Sequence, residues 1–400
     1  MVEAAPGHFG ILTLNQIATQ GLKRFPSERY TVGKSVTHPD AIIVRSHDML
    51  TMSIPASVKA IGRAGAGTNN IPVADLAKRG VPVFNAPGAN ANAVKELVFA
   101  ALFMAARNLV PALHYVRDLD AAAQDLEARV EDGKKNFAGV ELPHRTLGIV
   151  GLGAIGSMVA DTAIKLGMKV VGFDADITVD AAWRLPSSVR RAHSVDEVLK
   201  QSDFVTLHVP LLAVTRNLID AKRIALMKSG AVLLNFSREG IVSEEAVAEA
   251  LVAQRLKYYM CDFPTSALLG VPGFVAFPHL GASTAEAEEN CAIMVVDQVR
   301  EYLEHGNIAN AVNFPNVEMS RESPYRLAIA NANVPNMLGQ MSTSMAHAGL
   351  NIHNMVNKSR GDMAYTLVDV DSPVETEVIA AIGSIPGVLA VRAIPAADAS

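Results

Sequence analysis

Cysteine is scarce in this chain, which contains only Cys261 and Cys291 among its 400 residues. The two stand far apart, so they offer neither a disulfide framework nor the close spacing of a zinc site. We therefore expect no structural or catalytic metal. A chain without disulfides is typical of a reducing compartment, and we expect the cytoplasm.

Long apolar runs and blocks of one charge are also missing. The most apolar stretch, residues 97–106, stops at Arg107, well short of the roughly 20 residues that a membrane helix requires. The N-terminus has no basic start followed by an apolar core, as a secretory leader would. The net charge is only -5, and Lys and Arg form no track for a phosphate backbone. Membranes and nucleic acids are therefore not expected as partners.

Hydrophobic residues make up half of the chain, which is enough to bury two or three cores. The first ninety residues alternate short apolar runs with Gly, Asn and Ser turns, and this rhythm predicts a small α/β unit. Residues 93–113 follow as one mostly uninterrupted helical run. A helix this apolar is expected to be buried, in the interior or against another subunit.

Six apolar strands recur in the middle of the chain at βαβ spacing. They are predicted at residues 146–151, 169–174, 204–208, 231–236, 257–262 and 275–277. Continuous apolar strands separated by helices indicate a parallel sheet that is covered on both faces. Residues 313–324, rich in Asn, Pro, Ser and Glu, are typical of a linker. Beyond them the order βαββαβ predicts a separate small module of split βαβ type.

A glycine-rich segment, LGIVGLGAIGSMVADTAIKLGMKVVGFD, joins the first of these strands to a helix. Gly151 permits a tight turn, Gly153 lets the backbone approach a pyrophosphate, and Gly156 allows close packing of helix on strand. The helix start at Ala154 and Ile155 offers unpaired N–H groups to phosphates. This order of strand, loop and helix predicts a dinucleotide site.

Asp174 ends the next predicted strand and completes the pattern. Its carboxylate can accept both hydroxyls of a ribose but would repel a 2'-phosphate, which favours NAD over NADP. The alternative is a structural glycine turn beside a surface Asp. The complete order of strand, loop, helix, strand and acid favours the cofactor site.

Two candidate catalytic side chains follow predicted strands. Hydride transfer from a hydroxy acid requires a group that takes the hydroxyl proton and a cation that holds the carboxylate. Arg238 follows the strand at 231–236, and His279 follows the strand at 275–277. Ligands of open α/β sheets bind at the carboxyl ends of the strands, where both residues are expected. Alone, each would be a surface charge or a structural histidine, and their joint placement favours a functional site.

Three segments, NFSREGIVSEEAVAEAL, CDFP and PHLGASTAEAEENCA, resemble those of the D-isomer-specific 2-hydroxyacid dehydrogenases, and the likeness extends over nearly the whole chain. The resemblance implies that Arg238 holds the substrate carboxylate and that His279 is the acid/base. It implies that Asp262 lies near the nicotinamide carboxamide. Further cofactor contacts are implied for His208, Val209, Pro210, Ser237, Gly281 and Ala282.

RAGAGTNNIPV, NAPGANANAVKELV and the C-terminal module resemble in particular the shorter bacterial members that act on D-3-phosphoglycerate. The resemblance implies oxidation to 3-phosphooxypyruvate, the entry step of L-serine biosynthesis. It implies substrate contacts from Arg45, Ser46, Asn90 and Lys135 and from the backbone of Ala66 and Gly67. Alternatively, Arg45 is an edge-strand charge and Lys135 a solvated loop residue. Glyoxylate, hydroxypyruvate and 2-oxoglutarate are rival substrates, and a non-catalytic NAD-binding regulator is a further alternative.

One departure from the family concerns the partner of His279. The family has a Glu between the CDFP-like segment and the catalytic His, which orients that His. This chain has Ser266 and Ala267 there, and no carboxylate occurs between Asp262 and His279. We therefore expect a weaker base with an altered pH dependence, unless Asp262 or a more distant acid substitutes.

The C-terminal module resembles an ACT domain, a fold that binds amino acids between paired copies. The resemblance implies a site for an amino-acid effector, L-serine, at Asn331, Asn333 and Asn351. Asn336 stands where the usual Gly follows the Pro of the first loop, so a dimerising module without ligand is the alternative. Together with the apolar helix from Ala93, the module predicts a homodimer or homotetramer.

The expected fold class is thus α/β with three domains. A Rossmann-type doubly wound parallel sheet occupies residues 93–284. A flavodoxin-like substrate-binding domain covers residues 1–92 and is completed by about 285–315. A small ferredoxin-like (ACT) α+β domain covers residues 316–400.

Overall fold

The computed structural model describes residues 2–4 and 7–394, which form two compact units. One unit contains the chain up to Asn90 and again from Ala285 onward, and the other is Ala91–Thr284. The βαββαβ segment thus belongs to the same unit as the first ninety residues. The expected division into three domains stays a prediction.

The N-terminal part of the first unit is built on a parallel sheet. Its elements are β1 (Val2–Glu3), β2 (Phe9–Leu14), α1 (Thr19–Leu22), β3 (Tyr30–Gly33), β4 (Val36–Thr37), β5 (Ala41–Val44), β6 (Ala60–Arg63), α2 (Val73–Lys78) and β7 (Val83–Phe84). Five of these strands pair in the order β3-β2-β5-β6-β7, all parallel, and β1 pairs with β4. The order 2-1-3-4-5 is that of flavodoxin, so the flavodoxin-like prediction is confirmed.

The second unit contains a seven-stranded parallel sheet with helices between its strands. Its elements are α3 (Ala91–Ala106), α4 (Leu109–Arg117), α5 (Leu126–Gly133), a 3-10 turn (Lys134–Phe137), β8 (Thr146–Val150), α6 (Ala154–Lys165), β9 (Lys169–Phe173), α7 (Val179–Arg184), β10 (Arg190–Arg191), α8 (Val195–Gln201), β11 (Phe204–Leu207), α9 (Ala221–Leu226), β12 (Ala231–Asn235), α10 (Glu244–Val252), β13 (Leu256–Cys261) and β14 (Phe274–Ala276). The order β10-β9-β8-β11-β12-β13-β14 is the Rossmann arrangement, and this prediction is also confirmed.

The prediction of a single helix at residues 93–113 was wrong, because the chain bends by 69° between α3 and α4. Asn108 adopts a left-handed backbone there, with φ of 52°. Its buried amide donates to the carbonyl of Ala138 at 2.9 Å and accepts from the Tyr258 hydroxyl at 3.2 Å. These bonds compensate for the broken helix. None of the described helices is by itself long and apolar enough to span a membrane, and only the bent pair meets that test jointly.

The remainder of the first unit is one long helix followed by the C-terminal sheet. Its elements are α11 (Ala285–His305), β15 (Tyr325–Ala332), α12 (Met337–His347), β16 (Ile352–Arg360), β17 (Met363–Val370), α13 (Thr376–Gly383) and β18 (Val388–Ile394). The strands are antiparallel in the order β16-β17-β15-β18, as the βαββαβ prediction requires. One face of this sheet packs under α12 and α13, and the other joins the core around α11.

The expected linker at 313–324 is packed rather than extended into solvent. Phe314 and Val317 are fully buried in the core around α11. Ile308 and Val317 exchange backbone hydrogen bonds of 2.8 and 2.9 Å. Apolar residues placed between the polar ones therefore insert into the core, which composition alone did not indicate.

Candidate active site

The loop between β8 and α6 requires glycine at two positions for steric reasons. Gly151 has φ of 93°, and a Cβ there would lie 2.5 Å from the carbonyl oxygen of His208. A Cβ on Gly156 would lie 1.9 Å from the carbonyl oxygen of Gly151. At Gly153, by contrast, a Cβ would meet none of the described atoms within 4 Å. The chain itself therefore leaves open space above Gly153, where a ligand could approach the backbone.

The start of α6 faces the same space with unsatisfied donors. The helix begins directly after Gly153, and no side chain caps it within the described residues. The N–H groups of Ala154, Ile155 and Gly156 belong to the first turn and have no acceptor inside the helix. Such a turn binds anions, so the loop and helix fit the pyrophosphate of a dinucleotide.

Asp174 is held beside this loop by two backbone donors. One carboxylate oxygen accepts from the N–H of Leu152 at 2.7 Å, and the other accepts from Asp176 at 2.9 Å. Each oxygen keeps a lone pair that a ribose hydroxyl can donate to. The residue is placed as an NAD site requires.

His208, Val209 and Pro210 follow β11, the strand next to β8. The Nε2 atom of His208 lies 3.0 Å from the hydroxyl of Thr206, which is fully buried. Burial lowers the pKa of His208 to about 3, so the imidazole is neutral at physiological pH. The hydroxyl of Ser237 donates to the carbonyl of Val209 and joins the loops that follow β11 and β12.

Arg238 lies in the turn after β12, exposed to solvent. Its Nη1 donates to the carbonyl of Ser237 at 2.7 Å, and it forms no ion pair within the described residues. Asn235, only 1% exposed, shapes this turn. Its side chain donates to the carbonyl of Arg238 at 2.9 Å and accepts from the N–H of Ser237 at 3.2 Å. Sequence reasoning missed Asn235, although an Asn that ends the apolar strand AVLLN was a usable signal.

Asp262 follows β13 and holds the loop that carries His279. It is 2% exposed, and its two carboxylate oxygens each accept from a backbone N–H at 2.7 Å, one from Leu280 and one from Gly281. A Cβ on Gly281 would approach within 3.1 Å of this carboxylate. Ala282 follows, half-buried. Asp262 therefore binds the backbone of the two residues that follow His279 and does not bind the imidazole ring.

The His279 ring packs against an aromatic ring instead of a carboxylate. The Phe263 and His279 rings meet edge to face, with centroids 5.2 Å apart. No acid pairs with this imidazole within the part of the chain that the structure describes. Ser266 and Ala267 are exposed, and Ala267 shares a surface depression with Glu239 and Glu244. The departure from the family seen in the sequence is therefore present in the structure too.

Two of the residues expected to contact the substrate, Arg45 and Ser46, lie in the first unit after β5. The Nη2 atom of Arg45 donates to the Glu288 carboxylate at 2.6 Å. Ser46 is exposed. Asn70 supports this loop, because its amide donates to the carbonyls of His47 at 2.7 Å and Arg45 at 3.3 Å.

The other expected substrate residues are divided between the two units. Ala66 and Gly67 follow β6, and the carbonyl of Ala66 accepts from the amide of Asn85 at 2.6 Å. Asn90 is half-buried just before α3. Lys135 belongs to the second unit, where it is exposed and pairs with Asp132 at 3.2 Å. That pairing is typical of a solvated surface residue.

The three expected effector residues do not converge within one chain. Asn331 is 1% exposed in β15, donates to the carbonyl of Ala332 at 2.7 Å, and its amide oxygen has no partner among the described residues. Asn333 donates to the carbonyl of Gly361 at 3.0 Å. Asn351 precedes Ile352, which pairs with Val370 at the opposite end of the sheet. Six residues of strand separate the two ends, about 20 Å.

A family model described as "D-isomer specific 2-hydroxyacid dehydrogenase, NAD binding domain" matches residues 100–281. The D-3-phosphoglycerate dehydrogenase of Escherichia coli (strain K12) is 32% identical over 379 residues, which cover 90% of this chain and 88% of that enzyme. The enzyme of the same name from Methanocaldococcus jannaschii is 33% identical over 74% of this chain, and this chain spans only 56% of its length.

Solved structures give the same fold. The TT0316 protein from Thermus thermophilus is 27% identical with a TM-score of 0.61, and the match covers 76% of this chain and all of that one. The NAD+-bound 3-phosphoglycerate dehydrogenase of Entamoeba histolytica is 23% identical with a TM-score of 0.58 and covers 76% of this chain and 98% of that one. At that identity the second match supports the fold alone.

Proposed function

Because this chain belongs to the D-isomer-specific 2-hydroxyacid dehydrogenases, and so is an NAD-dependent dehydrogenase of that family, we propose that its substrate is D-3-phosphoglycerate. The product is 3-phosphooxypyruvate, and the reaction is the entry step of L-serine biosynthesis. The observation that supports the dehydrogenase chemistry, whichever 2-hydroxy acid is the substrate, is the placement of Arg238, Asp262 and His279 after the neighbouring strands β12, β13 and β14. The phosphoglycerate dehydrogenase of Escherichia coli supports the choice of substrate, because its likeness extends over 90% of the chain.

The reaction removes a hydride from C2 and a proton from the 2-hydroxyl, which leaves a carbonyl. Bound NAD supplies the hydride acceptor. Arg238 binds the substrate carboxylate with its guanidinium fork, because the side chain is exposed and carries no competing acid among the described residues. His279 accepts the hydroxyl proton as the C–H bond breaks and returns it in the reverse direction.

The proposed cofactor site lies in the second unit. The pyrophosphate would be held by Gly151, Gly153, Gly156 and the first turn of α6, and the adenine ribose by Asp174. The nicotinamide end would be lined by the residues that the family resemblance implies, which are His208, Val209, Pro210, Ser237, Asp262, Gly281 and Ala282. A neutral His208 adds no positive charge beside the nicotinamide.

The phosphate end distinguishes this substrate from its rivals. Arg45 and Ser46 bind it, Asn90 and Lys135 contact the substrate, and the backbone of Ala66 and Gly67 meets the carboxylate. Glyoxylate, hydroxypyruvate and 2-oxoglutarate carry no phosphate and depend on Arg238 and His279 alone. Another 2-hydroxyacid dehydrogenase activity is therefore the second candidate function.

The first experiment follows NAD reduction with D-3-phosphoglycerate and NADH oxidation with hydroxypyruvate, glyoxylate and 2-oxoglutarate. We expect a strong preference for the phosphorylated substrate. Arg45→Gln is expected to lose that preference, and Arg79→Gln, which removes another exposed arginine of the same unit, is the control. Equal activity with all substrates would favour the second candidate. NADH binding without turnover would favour a cofactor-sensing regulator.

We also propose that the chain acts as a homodimer or homotetramer in the cytoplasm and that L-serine binds its C-terminal module. Exposed apolar side chains support self-association: they lie on α3, α4 and α5 and are Phe103, Leu109, Leu113, Val116, Leu126 and Val130. Light scattering of Leu113→Asp tests this surface, and a lower mass is expected. L-serine added to the assay tests the effector, and Asn331→Ala is expected to remove its effect.

A further inference from the structure

Arg45 already has an anionic partner. Its Nη2 atom lies 2.6 Å from a carboxylate oxygen of Glu288, close to the length of a strong charge-assisted hydrogen bond. The two side chains are 37% and 40% exposed, so the pair opens to solvent at little cost. Glu288 lies in the first turns of α11, and Arg45 directly follows β5.

A second arginine lies at the same edge of the sheet. Arg63 ends β6 and is in register with Val44, the residue before Arg45. Its guanidinium lies across Gly65, where a Cβ would be 1.7 Å from Nη1. Burial raises the pKa of Cys291, one turn along α11 from Glu288, and the charges of Arg63 and Arg45 oppose that rise. Both arginines and Glu288 therefore form one charge cluster at the carboxyl ends of parallel strands.

A phosphate group would offer Arg45 what Glu288 offers it now, an oxygen anion at hydrogen-bond distance. A phosphate bound to the same guanidinium would place two negative charges beside the Glu288 carboxylate. Like charges this close repel even in a solvated site. A phosphate must therefore displace Glu288 from Arg45 or bind against its charge.

We propose that Glu288 determines substrate specificity as a built-in competitor: it occupies Arg45 in the absence of substrate and weakens the binding of every phosphate at this site. This inference rests on the proposed role of Arg45 at the phosphate end. Ligands that use only Arg238 and His279 leave the pair with Glu288 intact. Glu288 thus acts on phosphorylated substrates and not on the chemistry.

The test compares Glu288→Gln with Glu289→Gln, which removes the neighbouring exposed carboxylate that forms no ion pair among the described residues. The measurements are KM and kcat for D-3-phosphoglycerate, KM for hydroxypyruvate, and the dissociation constant of inorganic phosphate by titration calorimetry. We expect Glu288→Gln to lower the KM of the phosphorylated substrate and the dissociation constant of phosphate about two- to fivefold. The kcat and the KM for hydroxypyruvate are expected to stay unchanged, as should all values for Glu289→Gln.

A higher KM for D-3-phosphoglycerate in Glu288→Gln would overturn the proposal, because Glu288 would then position Arg45 for binding. A parallel change in the hydroxypyruvate KM would also overturn it. Failure of the proposed function looks different: the native protein would show no preference for the phosphorylated substrate. Phosphate binding still tests the competitor role in that case, and equal dissociation constants for Glu288→Gln and the native protein would contradict it.

Discussion

At the scale of single residues, His279 is positioned through its backbone. Asp262 binds the next two N–H groups along the chain, and the imidazole packs against the edge of Phe263. The backbone beside the ring is therefore held in place, whereas the ring itself forms no ion pair with an acid among the described residues. The family's Glu is absent, and the structure places no other acid against this ring among the described residues.

Restoring the acid is expected to change the pH dependence of turnover. Ser266→Glu places a carboxylate on the loop after β13, where it would stabilise the protonated imidazole. We expect the limb of the kcat/KM profile that reports His279 to move upward by about one pH unit. Leu269→Glu adds the same charge to the same loop at an exposed position and is the control. Equal shifts in both variants would show a general charge effect, and a native profile like that of a Glu-containing relative would contradict a weaker base.

At the scale of elements, the glycines between β8 and the start of α6 fall into two groups. Gly151 and Gly156 are required by the chain's own packing, whereas nothing in the described chain occupies the space at Gly153. We therefore expect Gly153 to serve the approach of a ligand and not the packing of the chain. The helix start and Asp174 surround the same loop and make a dinucleotide the fitting occupant.

Two alanine substitutions test this separation. Gly153→Ala is expected to keep the free energy of unfolding within about 0.5 kcal/mol of the native value. The same substitution is expected to weaken NADH binding about tenfold or more, since the added methyl group moves the phosphate away from charge-assisted donors. Gly156→Ala is expected to cost about 1–3 kcal/mol of stability through overpacking. Denaturant unfolding gives the first quantity. Energy transfer from Trp183, the only tryptophan, reports NADH binding. Comparable destabilisation by both substitutions would contradict the assignment.

At the scale of the whole molecule, a fully buried ion pair joins the C-terminal sheet to the rest of its unit. Arg326 donates from Nε and Nη2 to the two carboxylate oxygens of Asp369 at 2.6 and 2.8 Å. Its Nη1 also donates to the carbonyls of His305 at 3.1 Å and Met319 at 2.9 Å. One guanidinium thus connects β15, β17, the end of α11 and the packed segment before β15.

Removing one partner of this pair leaves the other charge buried. Arg326→Met is therefore expected to lower the free energy of unfolding by about 3–5 kcal/mol. Arg24→Met removes an arginine from the exposed pair with Asp297 and is expected to cost about 0–1 kcal/mol. Urea unfolding of both variants provides the comparison. A small effect of Arg326→Met would mean that water enters the site and solvates Asp369.

Acid should weaken the same contact. Burial alone would raise the pKa of Asp369, but the hydrogen bonds from Arg326 and the N–H of Glu322 hold it below its usual value of 3.8. The folded pKa is thus below the unfolded one, so the contribution is present above pH 3.8 and is lost as the pH falls below it. Thermal unfolding across this range should depend less on pH in Asp369→Asn than in the native protein. Identical slopes would contradict the lowered pKa.

The order of elements was predictable from the sequence because it depends on local patterns. Apolar runs at βαβ spacing predicted the parallel sheet of the second unit, the rhythm of the first ninety residues predicted a small α/β unit, and the βαββαβ order of the C-terminal sheet was also correct. The glycines at 151, 153 and 156 were predicted as a cofactor loop from short-range spacing, and Asp174 from its place after the next strand. Arg238 and His279 were proposed for a similar reason, as each lies a few residues beyond the end of a strand.

Only the tertiary structure decided which side chains meet across long separations. Glu288 pairs with Arg45 from 243 positions away, and Asp369 pairs with Arg326 from 43. The break at Asn108 depends on partners at Ala138 and Tyr258 that no local pattern contains. Local propensities set strands and helices, whereas the direction and burial of a polar side chain depend on whatever the fold packs beside it. The sequence therefore determined the architecture and the cofactor loop, and folding determined the charge pairs around the site.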